Sequence, residues 1–189
     1  MTLSNAANDR HSTSLQDGLE RVLLTEEQIQ VRVRALGGEL ASIYGLDRPL
    51  LVGVLTGAFI FMADLARAME IPLDVEFMAV SSYGLATETS GVVRIIKDLD
   101  SAIEGRHVLI VEDIVDSGLT LAYLLDVLQR RNPASLRVVS LLMKDREYRT
   151  RVRVDHRGFL IPDEFVVGYG LDAGNRWRNL PYVAVVKTG

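Results

Sequence analysis

Hydrophobic and polar positions along the chain fall into short blocks whose period changes repeatedly. Ile29, Val33, Leu36, Leu40 and Ile43 recur at steps of four and three, which puts them on one face of a helix. Thr25 and Gln28 form a capping box just before them, each side chain satisfying a backbone donor, so the helix is predicted to start there. Gly37 and Gly38 weaken its middle. Beyond Pro49 the chain reads LLVGVL, GAFIFMADLARAM and LDVEFMAV: an apolar strand, a helix whose polar residues come late, and a second strand. Residues 84–91, GLATETSG, lack periodicity and are expected to be the tip of a long mobile loop, followed by VVRIIK as a short strand.

From His107 to Val111 the apolar run is continuous, as in strands buried on both faces, and Leu121, Leu124, Leu125 and Leu128 then keep a helical stripe. Asn132 and Pro133 stop that helix. SLRVVSLLM reads as a further buried strand, and FVVGYG and YVAVVK as shorter ones. Alternation of this kind predicts an α/β fold with a parallel sheet and helices on both faces.

Composition narrows the class. A chain of 189 residues, 48% hydrophobic and 24% charged, fits one globular domain, expected over residues 19–189 behind a flexible tail at 1–18. The tail is polar and lacks the apolar core of a secretory signal. Leu50 to Ala63, the most apolar stretch, is broken by Gly53, Thr56 and Gly57, and falls short of the roughly 20 residues a bilayer span requires. With no Cys, disulfides, thiolate nucleophiles and thiolate metal sites are excluded. These features predict a cytoplasmic protein without a membrane partner. A net charge of -4 argues against nucleic acid as a partner and leaves small phosphorylated ligands open.

The candidate chemistry lies in VLIVEDIVDSGLTL, residues 108–121. In an open α/β sheet, ligands bind outside the carboxyl ends of the strands, where a turn and a helix N-terminus offer free N–H groups. Gly118 lets backbone approach a phosphate, and Ser117 and Thr120 add hydroxyl donors. Neither a Walker loop nor a G-x-G-x-x-G fingerprint is present. Glu112 and Asp113, just upstream, would repel a phosphate but suit a sugar diol or a Mg²⁺ shared with it. The competing reading makes Asp116 a helix N-cap and the acids mere complements of a helix dipole. Three carboxylates within five residues of a buried strand favour the ligand reading, because buried acids need partners.

VEDIVDSGLTL resembles the phosphoribosyl-diphosphate signature of the type I phosphoribosyltransferases, in its hypoxanthine-guanine form. The similarity continues through GVLTGAFIFMADLAR, SSYG, LLMKD and IPDEFVVGYGLD in the family's order, over roughly residues 20 to 187. The resemblance implies a mostly parallel central sheet flanked by helices, with a small hood built from terminal segments. It implies that Glu112 and Asp113 hold the ribose hydroxyls directly or through Mg²⁺. Asp116, Ser117, Gly118, Leu119 and Thr120 would wrap the 5-phosphate, with Asp116 also accepting the N7 proton of the purine. Lys144, Phe165 and Val166 would read a 6-oxopurine, Asp172 would bind a second Mg²⁺ beside it, and Thr56, Gly57 and Arg178 would face pyrophosphate.

Ser82 and Tyr83 would belong to a lid over the reacting centre. Taken singly, Lys144 reads as a strand-end lysine, Arg178 as a solvated charge, Phe165 as core and Tyr83 as a loop anchor. One position departs from the family: Thr56 stands where a basic residue is usual, in a peptide that relatives can hold in a non-proline cis form. The implied enzyme makes IMP and GMP in purine salvage and assembles as a homodimer or homotetramer. Two other readings fit the pocket, a xanthine-preferring transferase and a regulatory or RNA-binding module without turnover. Intact Asp116, Lys144 and Asp172 favour the enzyme.

Overall fold

The structure, a computed structural model, describes residues 15–83, 92–146 and 152–187. The first fourteen residues of the expected tail and the loop tip at 84–91 lie outside them, as do the side chains of Ser82 and Tyr83.

Six strands form the main sheet in the order β4-β3-β2-β5-β6-β7: β2 (Leu50–Leu55), β3 (Asp74–Tyr83), β4 (Val92–Lys97), β5 (His107–Val115), β6 (Ser135–Lys144) and β7 (His156–Ile161). All neighbours are parallel except β3 and β4, which form an antiparallel pair. Three helices pack on it among the described residues: α1 (Glu26–Tyr44), α2 (Phe59–Ala68) and α3 (Leu119–Gln129). Period-two alternation explains the layering. Leu51, Leu109, Val111 and Val139 face α1 and α2, whereas Leu50, Val52, Val108, Ile110 and Val138 face α3.

The capping box is present: Thr25 N donates to Gln28 Oε1 at 2.8 Å, and Thr25 Oγ1 accepts from Gln28 N at 3.3 Å. The apolar stripe of α1 ends differently from the expectation. Ile43 is exposed and Tyr44 is buried instead, because a 3.6-residue period carried from Leu40 passes closer to position 44. Gly37 proves to be a packing site. A Cβ there would lie 2.5 Å from the Ala68 carbonyl oxygen, so its absence lets α1 and α2 approach.

A second sheet, β1-β9-β8, joins β1 (Leu19–Leu24), β9 (Val183–Val186) and β8 (Val166–Val167) antiparallel, and forms the hood expected from terminal segments. Residues 15–18 form a turn beside it, where Lys187 N donates to the Gly18 carbonyl at 2.9 Å. The hood buries Leu24, Val166, Val183 and Val185 in the same core as α1 and α2. β1 and β7 had no counterpart in the sequence reading. No helix among the described residues is long and apolar enough to cross a membrane.

Topology places the site. From β2 the chain passes through α2 to β3 on one side, and from β5 it passes through α3 to β6 on the other. The order therefore reverses between β2 and β5. Their pairing ends at Gly53 and Val111, and beyond it the two carboxyl ends separate into a crevice of the kind that receives ligands in open α/β sheets.

Candidate active site

Strand β5 runs further than its apolar segment suggests, to Val115, so Glu112 and Asp113 sit on the strand rather than in the turn. Glu112 is buried opposite Ser140 of β6. Burial, and then the charge of Asp113, raise its pKa well above the ordinary carboxylate value. Burial also pushes Asp113 up to about 6, against the lowering effects of the Ile114 amide, which donates to Oδ1 at 2.8 Å, and of the Arg178 charge. Two adjacent carboxylates held out of water in this way call for a cation or a set of hydroxyl donors.

The turn after β5 leads into α3 through Gly118, whose φ of 78° is left-handed and suits glycine. Gly118 occupies the N-cap position, so Asp116 is not an N-cap. Ser117 Oγ lies 3.4 Å from the Leu119 amide, and Leu119 and Thr120 open the first turn. Glu112, Asp116, Ser117, Gly118 and Thr120 line a hollow of about 160 Å³ in front of that turn. A larger groove of about 480 Å³ between α1 and α2 shares none of these residues.

Asp116 instead faces β6. Lys144 ends that strand, is buried, and places Nζ 3.2 Å from Asp116 Oδ2 and 3.2 Å from Asp163 Oδ1. It is a strand-end lysine as its position suggests, but its charge is drawn into the crevice. Phe165, two residues beyond Asp163, is 56% exposed and so does not belong to the core, while Val166 is buried in β8. Phe165 is free to present a ring face to a ligand.

On the β2 side, Leu55-Thr56 is a cis peptide, Thr56 is exposed, and Gly57 lies against Asp113. A Cβ on Gly57 would fall 1.5 Å from Asp113 Oδ2. Gly170, with φ of 105°, lies against the same peptide, and a Cβ there would fall 2.1 Å from the Gly57 carbonyl oxygen. Arg178 is held between two groups of this loop: it donates to the Gly170 carbonyl and pairs with Asp172 Oδ1 at 2.5 Å. It is not a solvated surface charge. Asp172 Oδ2 also accepts from Asn175 N at 2.7 Å.

The structure thus brings together Glu112, Asp113, Asp116, Ser117, Gly118, Leu119, Thr120, Lys144, Thr56, Gly57, Asp172 and Arg178 through direct contacts or a shared turn. Phe165 and Val166 join through the segment between β7 and β8 that carries Asp163. The backbones of Ser82 and Tyr83 pair with Val93 and Val92 where β3 meets β4. Missing from the sequence reading were Arg146 and Asp163, which complete the ion pairs around Asp116 and Lys144. Also missing was Tyr169, whose hydroxyl donates to Asp64, itself bonded by Gln30 Nε2 at 2.9 Å. No periodicity marks such residues, since their partners lie far away in the chain.

A crevice at a strand-order reversal, lined by buried acids on one strand and a helix N-terminus beyond it, suits a phosphorylated sugar. This chain belongs to the phosphoribosyltransferase family: the family model of the phosphoribosyl transferase domain matches residues 23–173. It is similar to the hypoxanthine-guanine phosphoribosyltransferase of Bacillus subtilis, 50% identical over 92% of this chain and 96% of that protein. The enzyme of the same name from Mycobacterium avium is 51% identical over 97% of this chain and 94% of its own length. The crystal structure of a hypoxanthine phosphoribosyltransferase from Staphylococcus aureus superposes with a TM-score of 0.89 at 44% identity, covering 94% of this chain and 96% of that one.

Proposed function

We propose that this protein is a purine-salvage phosphoribosyltransferase, a pentosyltransferase that converts hypoxanthine and guanine, with 5-phosphoribosyl 1-diphosphate, to IMP and GMP with release of pyrophosphate. The observation that carries the choice of base is the 3.2 Å contact between Lys144 and Asp116. A 6-oxopurine bearing a proton on N7 offers an acceptor at O6 and a donor at N7 along one edge. Lys144 supplies the matching donor and Asp116 the matching acceptor. Adenine, with an amine at the six position, sets a donor against the Lys144 donor.

In this reading Asp116 takes the N7 proton while the base attacks C1′ of the ribose from N9 and the bond from C1′ to pyrophosphate breaks. Removing that proton keeps the base electron-rich as positive charge develops on the ribose. Phe165 stacks on the purine, and the Val166 backbone borders its far edge. The first turn of α3, with Ser117, Gly118, Leu119 and Thr120, holds the 5-phosphate by its free amides and hydroxyls. Thr56 and Gly57 turn backbone toward pyrophosphate, and Arg178 adds a charge there.

The buried acids fit Mg²⁺. Among the described residues no three His, Cys, Asp or Glu side chains gather into a cage for a metal ion. Mg²⁺ commonly takes only one or two carboxylates and fills its shell with substrate oxygens and water. Glu112 and Asp113 would hold one ion with the ribose hydroxyls, and Asp172 a second; bound there, Mg²⁺ would supply charge neutralisation for pyrophosphate. The donor is a polyanion that does not cross a bilayer unaided, which supports a cytoplasmic location. A homodimer or homotetramer is the assembly proposed, and light scattering on the purified protein tests it.

The deciding experiment offers hypoxanthine, guanine, xanthine and adenine separately, each with 5-phosphoribosyl 1-diphosphate and Mg²⁺, and follows nucleotide formation. Turnover of hypoxanthine and guanine is expected. No turnover of any base defeats the enzyme reading, preference for xanthine reassigns the base, and fast turnover of adenine defeats the role of Lys144.

A further inference from the structure

Asp116 is held by two cations. While Lys144 meets Oδ2, Arg146 Nη1 meets Oδ1 at 2.8 Å, the shorter of the two contacts. Asp163 Oδ1 accepts from both, at 3.2 Å from Lys144 and 3.3 Å from Arg146. Two acids and two bases therefore alternate in a closed ring at the mouth of the crevice. The members come from the turn after β5, the end of β6 and the approach to β8, so the ring ties three segments together.

From this geometry we infer that Arg146 is a positioning residue for the proposed proton transfer, with Asp163 as the shared counter-ion; the inference rests on the functional reading above. The two carboxylate oxygens of Asp116 have separate duties. Oδ1 is anchored by Arg146, which fixes the rotation of the carboxylate. Oδ2 is the oxygen that Lys144 gives up when its ammonium turns to O6 of the base, and it is then the one that faces N7–H. Arginine suits the anchoring duty because its guanidinium is planar and permanently charged, and one nitrogen reaches both acids. Among the described residues the Asp116 carboxylate pairs with Lys144 and Arg146, so without the anchor it lies on an exposed turn held by Lys144 alone until Lys144 turns away.

Asp163 answers a second need. When Asp116 accepts the proton its charge is neutralised, and Lys144 and Arg146 would face each other across the base with no anion between them. Asp163 remains charged at that stage: the Lys144 hydrogen bond, and after it the Lys144 and Arg146 charges, hold its carboxyl below the usual range. Asp163 therefore keeps Lys144 directed at the six position while Asp116 is neutral.

The test uses the full chain carrying Arg146→Ala, Arg146→Lys and Asp163→Asn, and Arg146→Ala combined with Asp116→Asn. Hypoxanthine turnover and KM are measured in each, with single-turnover reactions followed for hours where rates are low, and melting temperatures as a check on folding. Arg146→Ala is expected to lower kcat about tenfold or more with KM for hypoxanthine changed far less, and Arg146→Lys to recover part of the loss. In the Asp116→Asn background, Arg146→Ala is expected to have no further effect, because the two residues act as one unit. A kcat for Arg146→Ala within about twofold of wild type overturns the inference, as does an equal loss in both backgrounds. If Arg146→Ala unfolds, Arg146→Lys and Asp163→Asn carry the same comparison. A wild-type chain that turns over no base defeats the functional reading itself, a result distinct from either of these.

Discussion

Gly57 and Asp113 meet so closely that a Cβ on the one would lie 1.5 Å from Oδ2 of the other. The loop after β2 and Asp113 of β5 therefore constrain each other directly. Gly57→Ala must turn the Asp113 carboxylate away or push the loop toward Gly170, which abuts its other side. The expected outcome is a fall in kcat/KM of about a hundredfold, the usual cost of misplacing a reacting group by about 1 Å. Steady-state kinetics with both substrates check it, and a kcat/KM near that of wild type would sink the idea that this contact orders the site.

Asp116→Asn keeps the shape of the side chain but removes its ability to take a proton. Turnover should fall by about 10²–10⁴-fold, the range for loss of a general base, while binding of hypoxanthine changes much less. Unchanged turnover would refute the assignment.

Thr56 is exposed on the side of the crevice proposed to take pyrophosphate. Thr56→Lys should tighten inhibition by pyrophosphate about tenfold or more, in keeping with the roughly 1.5–3 kcal/mol of a charge-assisted hydrogen bond. Product-inhibition kinetics and light scattering check it together. Unchanged inhibition and unchanged assembly would show that Thr56 has no part in either.

Tyr169 anchors the loop that carries Gly170 and Asp172 by donating its hydroxyl to Asp64 of α2. Burial, and then the Asp64 hydrogen bond, raise the phenol far above its ordinary pKa, so it remains a donor throughout the working range. Tyr169→Phe should cost about 1.5–3 kcal/mol of stability, as for a hydrogen bond to a charged acceptor, measured by urea unfolding. A midpoint equal to wild type would show that Gln30 and Arg67 satisfy Asp64 unaided.

His156 provides the pH dependence. Its Nε2 is buried with no hydrogen-bond partner among the described residues, and Nδ1 lies 3.9 Å from Glu39. Burial lowers its pKa below 6.5, outweighing the raising effects of Asp155 and Glu39. The unfolded chain therefore binds this proton more readily than the folded one. The stabilising contribution is complete above the unfolded value and is lost as pH falls through the depressed folded value. Melting temperature should drop more steeply between about pH 7 and pH 5 in wild type than in His156→Gln. Parallel slopes would rule His156 out as the group responsible.

Strong local signals in the sequence correspond to elements that bury one face. The capping box at Thr25, the stripe from Ile29 to Leu40 and the apolar core of β5 all lie where periodicity puts them. What periodicity does not reveal is edge structure. β1 has largely exposed residues and two register irregularities, and β7 carries Gly158 in its middle, where a Cβ would lie 2.4 Å from the Leu141 carbonyl oxygen. The acids of the site were legible because three of them interrupt a buried run. Arg146 and Asp163 were not, because a pair of surface-type charges separated along the chain shows its meaning only once β6 and β7 pair and set Lys144 beside Ile161.

The hood has a kinetic consequence. Its middle strand, β9, pairs with β1 and β8, so the sheet next to Phe165 is completed only when segments from opposite ends of the chain meet. Such non-local pairings reward the chain only after a long loop has closed, and they commonly form late and open early. Amide hydrogen exchange should find β8 and β9 less protected than β5 and β6, so the roof over the base would breathe while the floor that holds the sugar stays shut.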